Sequence, residues 1–429
     1  MFALSIFIDM LRALIFYVFM WRLNMKEILK SKKLNNVAYD VRGPVLDAAN
    51  AMEANGAKIL KLNIGNPGAF KFEAPDCILD AMSATLPISE GYCDSKGLLE
   101  AREAIASYDK SKGIEGVGVN DIYTGNGVSE LITLCMQGLL DCGDEILIPS
   151  PDYPLWTGAA TLAGGTAVHY ICDEKSDWMP DIADIKNKIT PKTRGIVVIN
   201  PNNPTGTLYG PYILEEIVKL AREHDLIIFA DEIYDRLLMD GRTHTSIASL
   251  APDLFVITLN GLSKSHLIAG YRCGWMSISG DKSHAKGYIE GLNMLSSMRL
   301  CSNVPAQRAI KPALENLHAT DYLLKPGGRI FEQRRAICEA MDKIDGISYV
   351  RPMAAFYVFP KIDAKRFGIT NDEQFVLDFL REKQVLLVHG GGFHWEQPDH
   401  FRIVYLPEPS VLAESMEKLG DFLKTYRQA

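Results

Sequence analysis

From about residue 50 the chain alternates between two kinds of apolar pattern. Apolar residues recur at helical spacing over Gly97 to Tyr108, Val128 to Leu140, Tyr212 to Glu223 and His284 to Met298. Between these lie short β-branched or continuously apolar runs: EILIP (145–149), AVHYI (167–171), GIVVIN (195–200), LIIFAD (226–231) and LFVITLN (254–260). A strand without polar alternation has both faces buried. Such strands alternating with helices predict an α/β fold whose mostly parallel sheet is covered on both sides. From about Asp321 a second pattern runs helix, strand (AFYVF, 355–359), helix, strand (VLLV, 385–388), strand (FRIVYL, 401–406), helix, and the K-P-G-G at Lys325 to Gly328 is the expected boundary. No internal repeat is found.

The first 24 residues, MFALSIFIDMLRALIFYVFMWRLN, depart from this pattern. Asp9 and Arg12 interrupt an otherwise apolar stretch, and the longest uncharged run is the nine residues from Ala13 to Trp21, which is marginal for a membrane span. The basic leader and small-residue cleavage site of a secretory signal are missing, so export is unsupported and a cytoplasmic location is expected. Were the segment to insert, Lys26, Lys30, Lys32 and Lys33 would hold the remainder in the cytoplasm. The simplest account is that translation begins at Met25 and residues 1–24 are an upstream reading-frame artefact; an anchor and a buried arm are the alternatives.

Composition narrows the function. The chain has 429 residues, with 45 Lys+Arg against 53 Asp+Glu, a formal net charge of −8. That length suits two or three domains, or one large domain with an appendage, and the mild acidity argues against a non-specific nucleic-acid binder, leaving a small molecule as the expected partner. Eight scattered cysteines without C-x-x-C read as reduced, packed thiols. The nine histidines show no metal-ligand spacing. The nearest set, His389, His394 and His400, falls in a Gly/Pro-rich loop, and no metal site is expected.

Polar motifs fall just beyond the carboxyl ends of the strands, where ligands of open α/β sheets bind. NPNNPTG (200–206) is a strand-to-helix turn presenting Asn203. ADEIYD puts Asp231 and Tyr234 one turn apart, and in NGLSKSHLIAGYRCGW (260–275) Ser263 and Lys264 precede Arg272 by one small-residue loop. YTGNGVSELI (123–132) is a turn feeding a helix whose first N–H groups suit a phosphate. Each motif alone has a bland reading as a turn, a helix cap or a surface lysine.

In this order and spacing, however, the motifs resemble those of the class I (fold type I) aminotransferases, which use pyridoxal 5′-phosphate, from about Asn36 to the C-terminus. NNVAYDVRGPVL, KLNIGNPGAF, GYCDSKGLLEARE, PSPDYPLW and HAKGYIEGLNMLSSMRLCSNVPAQ are similar to the bacterial alanine (glutamate:pyruvate) group. The resemblance implies a large cofactor-binding domain over 71–324, with a small α/β domain over 325–429. It also implies an arm and small-domain segment over 25–70, preceded by the 1–24 extension. Lys264 would bind the cofactor as an imine and carry the proton between Cα and the cofactor. Asp231 would pair with the pyridine nitrogen, and Asn203 and Tyr234 would bond the 3′-oxygen, with Tyr153 stacked on the ring. Gly127 and Val128 backbone N–H groups, Asn126, Ser263 and Arg272 would hold the phosphate, with Tyr92 donated across a homodimer with shared active sites. On the substrate side, Arg402 would grip the α-carboxylate as a bidentate fork beside Gly65. Arg42, with Tyr39, would close over the site from the arm to meet a γ-carboxylate. The implied reaction is transamination between alanine and 2-oxoglutarate.

Two alternatives are another class I specificity and a C–S lyase using the same lysine and aspartate. A transcription regulator with an aminotransferase-like sensor domain would need a DNA-binding domain that 24 apolar residues cannot supply. One departure stands out: after Ser263-Lys264 comes Ser265-His266-Leu267, where the alanine enzymes have a hydroxyl, an aromatic and an arginine. His266 is therefore a candidate for altered cofactor tuning or substrate range, with packing as the plainer role.

Overall fold

The computed structural model describes residues 2–23, 28–37 and 43–428. Met1–Asn36 and Val37–Ala429 form two separate units. In the first, the apolar stretch is one α-helix, Phe2–Leu23, in which Asp9 and Arg12 sit one turn apart, 3.9 Å between charged atoms. Ile6, Phe7, Met10, Leu14 and Phe16 are exposed. Among the described residues, no helix is long and apolar enough to cross a membrane.

The second unit is built on an eight-stranded sheet: β1 (Ile122–Asn126), β2 (Glu145–Ser150), β3 (Thr166–Asp173), β4 (Met179–Pro180), β5 (Thr193–Ile199), β6 (Ile227–Asp231), β7 (Val256–Gly261) and β8 (Cys273–Ser279). Their order across the sheet is β1-β8-β7-β6-β5-β2-β3-β4. The five strands from β7 to β3 are parallel, while β8 runs antiparallel to both its neighbours.

Alternation along each strand explains the unbroken apolar runs. In β5, β6 and β7, Val197, Ile199, Phe229, Ile257 and Leu259 face one core with the helices Val128–Leu139, Leu155–Ala163 and Lys286–Met298. Ile196, Val198, Ile228, Ala230 and Val256 face the opposite core with Pro211–Glu223. A period of two with both sides covered favours apolar residues at successive positions. β1 and β8 were not anticipated, because IYTGN reads as a turn and CGWMSIS mixes small and polar residues. Both strands nevertheless belong to the sheet, β1 at its edge and mostly buried, β8 next to it and buried throughout.

A further core joins the two ends of this unit. Val45, Ala49, Leu62 and Phe72 pack with residues from Leu323 to Leu423, and Leu60–Lys61 pairs in parallel with Val385–Leu386. There Phe401–Val404 is the central strand between Tyr357–Val358 and Val388–His389. It carries Arg402 towards the carboxyl edge of the large sheet, where the guanidinium meets Asn203.

Candidate active site

The carboxyl ends of β2, β5, β6 and β7, the start of the helix after β1 and the loop before β8 surround one cavity of about 480 Å³. Its walls include Gly65, Val128, Tyr153, Asn203, Asp231, Tyr234, Ser263, Lys264, Arg272 and Arg402, all singled out in the sequence.

Sheet register explains much of this convergence. Asn126 is opposite Cys273 and Gly261 is opposite Gly274, so the chain leaving β1, the chain leaving β7 and the Arg272 entering β8 meet at one edge. Arg272 adopts a left-handed φ of 56° and donates from Nη1 to the Ala269 carbonyl at 2.9 Å and from Nη2 to the Asn126 carbonyl at 3.3 Å. Gly127, at φ 81°, leaves space that a Cβ would fill, 2.3 Å from Arg272 Nη2. Next to it, Val128 and Ser129 open a helix, where backbone N–H groups have no intrahelical acceptor. A cation, a hydroxyl at Ser263 and first-turn amides together could hold a phosphate dianion.

At the other end of the cavity Asp231 closes β6, 3% exposed. Its Oδ2 accepts the Trp156 indole N–H at 3.1 Å, and burial pushes its carboxyl up to about 6, with that indole bond opposing the rise. Such a carboxyl is poised for a cationic partner. The segment after it is pinned from behind: Glu232 and Asp235 turn away to Lys112 Nζ, at 2.5 and 2.8 Å, while Asp231 and Tyr234 face the cavity. Tyr234 Oη lies 2.7 Å from Tyr357 Oη in a hydrogen bond, and burial holds its phenol well above its ordinary value.

Lys264 rises from a single helical turn, Leu262–Ser265, and its Nζ donates to the Gly65 carbonyl at 2.9 Å, with the rings of Phe356 and Tyr234 at 5.4 and 5.9 Å. Gly65 has to be glycine. A Cβ there would lie 2.3 Å from Tyr357 Oη and 2.4 Å from Phe356 Cε2. Arg402 is buried, its guanidinium 4.6 Å from the centroids of both Tyr357 and Phe393; Nη1 donates to Asn203 Oδ1 at 2.9 Å and Nη2 to the Asn63 carbonyl.

Other sequence candidates fall elsewhere. The Asn126 side chain is turned to its own surroundings, donating to Glu130 Oε1 at 3.0 Å and accepting from the Asn303 N–H at 2.9 Å, so its carbonyl rather than its amide meets Arg272. Gly127 acts as spacing behind the cavity wall. Tyr92 is 82% exposed and does not line the cavity. Tyr39 and Arg42 lie outside the described residues. His266 is 1% exposed and bonds Ser265 Oγ at 3.0 Å and the Ala313 carbonyl at 3.1 Å, away from the cavity, so packing is the role this geometry gives it. Trp156, Ser129, Tyr357 and Phe393 were not picked out individually. Trp156 follows Tyr153 by three residues, a spacing that could have flagged it, whereas Tyr357 and Phe393 read only as core.

The cavity brings together a lysine amine, a buried carboxylate, a group of donors that could hold a phosphate and a buried arginine. Residues 57–419 match the family described as aminotransferase class I and II. The glutamate-pyruvate aminotransferase AlaA of Haemophilus influenzae is 58% identical over 404 residues, 94% of this chain and 100% of that protein. An alanine aminotransferase of Mycobacterium tuberculosis is 52% identical over 400 residues, 93% of each chain. Among solved structures, an aminotransferase from Escherichia coli superposes with a TM-score of 0.92 at 57% identity, covering 94% of this chain and 100% of that one. An alanine aminotransferase from Pyrococcus furiosus gives a TM-score of 0.88 at 39% identity over 92% and 100%. The chain belongs to the class I and II aminotransferases, and its fold is that family's large, mostly parallel sheet flanked by helices.

Proposed function

We propose that this enzyme moves an amino group between L-alanine and 2-oxoglutarate, giving pyruvate and L-glutamate and running in both directions, with pyridoxal 5′-phosphate as cofactor. The observation that carries the reading is that Lys264, Asp231 and Arg402 line one cavity whose far end is a phosphate seat. The names of the relatives above support the substrate pair.

The residues present fit that cofactor. Arg272, Ser263 and the Val128 and Ser129 amides match its phosphate, Tyr153 its ring face, Asn203 and Tyr234 its 3′-oxygen, and Asp231 its ring nitrogen. When bound, the cofactor supplies an electron sink that lets an amino acid's Cα–H bond ionise. Lys264 Nζ would take the proton from the substrate Cα and deliver it to the cofactor carbon on the far side of the amino nitrogen, which an amine held between two rings and a carbonyl is placed to do. Asp231 keeps a proton on the ring nitrogen, a task suited to a buried carboxyl whose own charge is costly without a cation beside it. Arg402 holds the α-carboxylate and so fixes which substituent of Cα faces Lys264. Arg42, with Tyr39, meets the γ-carboxylate of glutamate and withdraws for alanine. Tyr92, exposed in a single chain, reaches the phosphate of a second copy in a homodimer. The core that joins residues 45–72 to 323–423 supports a small domain built from both ends of the second unit, with the large domain between them.

The test is a panel of amino donors and 2-oxo acids on protein reconstituted with pyridoxal 5′-phosphate, with Lys264→Ala as control. Alanine with 2-oxoglutarate should be the leading pair and the variant should be inactive. Retained turnover in Lys264→Ala would overturn the assignment, and ammonia and pyruvate released from cystathionine without an acceptor would mark a C–S lyase.

A further inference from the structure

Asp152 lies beside the ring-stacking Tyr153, at the exit of β2, and is completely buried. A buried carboxylate needs partners, and this one finds them on three elements. Thr157 Oγ1, on the helix Leu155–Ala163, donates to its Oδ2 at 2.7 Å. His169 on β3 has Nε2 3.7 Å from the same oxygen and 2.9 Å from Thr157 Oγ1. His394, from the turn after Val388–His389, has Nδ1 2.8 Å from Oδ1, with its ring stacked on that of His169 at 4.7 Å and 20°. In space, then, the histidine against His394 is His169. The two rings lie nearly parallel, and with Asp152 they bring a carboxylate oxygen and two ring nitrogens within 4.8 Å of one another, a cluster in which each histidine has a hydrogen-bonding partner.

Two further bonds, one backbone and one from a side chain, lace the same two segments. The Asp152 N–H donates to the Phe393 carbonyl at 3.0 Å, and Ser150 Oγ to the His394 carbonyl at 2.7 Å. Burial acts to raise the Asp152 carboxyl, and the bonds to His169 and His394 more than reverse that, holding it below the usual carboxylate range. Phe393, one residue from His394, is the ring that covers one face of Arg402 at 4.6 Å.

We propose that Asp152 and His394 are a pair of positioning residues, a strap that seats Phe393 against Arg402 while fixing the strand end that carries Tyr153. The two arms of the site, residues 150–153 and 393–402, come from segments 242 residues apart at the Asp152–His394 contact, and the strap makes their spacing independent of substrate. Releasing it leaves the proton-handling Lys264 and Asp231 in place and loosens the carboxylate grip. The proposal rests on the reading of Arg402 as the carboxylate fork, and the experiment separates the two.

His394 sits at φ 56°, a conformation asparagine tolerates, and an asparagine amide can donate from the same distance as Nδ1. His394→Ala should raise KM for both alanine and 2-oxoglutarate by about tenfold while lowering kcat by less than about threefold, the signature of lost binding and not lost chemistry. In the cofactor-free protein the same variant should speed amide exchange over residues 390–395, with the helix Pro211–Glu223 unchanged. His394→Asn should restore most of the KM. Asp152→Asn, which keeps the side-chain volume, should reproduce the His394→Ala effect, and the double variant should be no worse than the more damaged single one. An unchanged KM in His394→Ala, or a loss confined to kcat, would overturn the strap. Arg402→Lys is the reference arm: if it leaves KM unchanged, the fork reading has failed, whereas if it raises KM and His394→Ala does not, only the strap has.

Discussion

The indole Nε1 of Trp156 donates to Asp231 Oδ2 at 3.1 Å, so one oxygen of the carboxylate is tied to the protein interior. Trp156 is fully buried and packs on Phe229, ring centroids 5.9 Å apart. Oδ1 accepts the Ile233 N–H at 3.4 Å, and the two bonds together fix the rotation of the carboxylate at the cavity wall.

Trp156→Phe keeps most of that packing and removes the donor. A hydrogen bond to a charged group contributes about 1.5–3 kcal/mol, so affinity for pyridoxal 5′-phosphate should fall by about tenfold or more. Titrating the cofactor-free protein and following visible absorbance measures it. Unchanged affinity would mean that Asp231 needs no such support.

The buried Asp231 should also leave a mark on stability. Its carboxyl titrates near 3.8 in the unfolded chain and near 6 in the cofactor-free fold. A folded value raised above the unfolded one means stability that is complete below 3.8 and is lost as pH rises towards 6, because the folded protein must then carry an unpaired buried charge. Asp231→Asn lacks this loss. The variant should match the wild type near pH 4 and exceed it by up to roughly 3 kcal/mol above pH 6, before cofactor is added. Denaturant melts of both proteins across that range decide it, and parallel curves would contradict the burial argument.

Arg42→Ala should raise KM for glutamate and 2-oxoglutarate by about tenfold and change alanine and pyruvate far less, since only the five-carbon substrates offer a second carboxylate. Steady-state kinetics on the two pairs test this, and equal kinetics for both would remove Arg42 from the specificity account.

His266 is expected to matter for stability and not for substrate choice. His266→Leu leaves Ser265 Oγ and the Ala313 carbonyl without their ring partner, at a cost of about 1–3 kcal/mol. Thermal or denaturant unfolding should show the loss, while the ranking of amino donors stays as in the wild type. A changed ranking would return His266 to the site.

What the sequence determined by itself was periodic and local. The doubly covered parallel strands were readable because burial on both faces writes an uninterrupted apolar run, and Asn203, Asp231, Lys264 and Arg272 were readable because strand ends are where such sheets place their chemistry. Family motifs then supplied roles for residues that periodicity leaves anonymous. Tertiary structure decided what depends on distant pairing. β8 is apolar enough to be buried only because β1 and β7 flank it, and its register brings Arg272 to the phosphate seat. Asn126 turns its amide to Glu130 and Asn303, a preference set by a neighbour 177 residues away. Trp156, Tyr357 and the Asp152–His394 pair acquire their roles from contacts across 75, 123 and 242 residues. No local pattern encodes such contacts. They follow from which surfaces the whole chain must bury together.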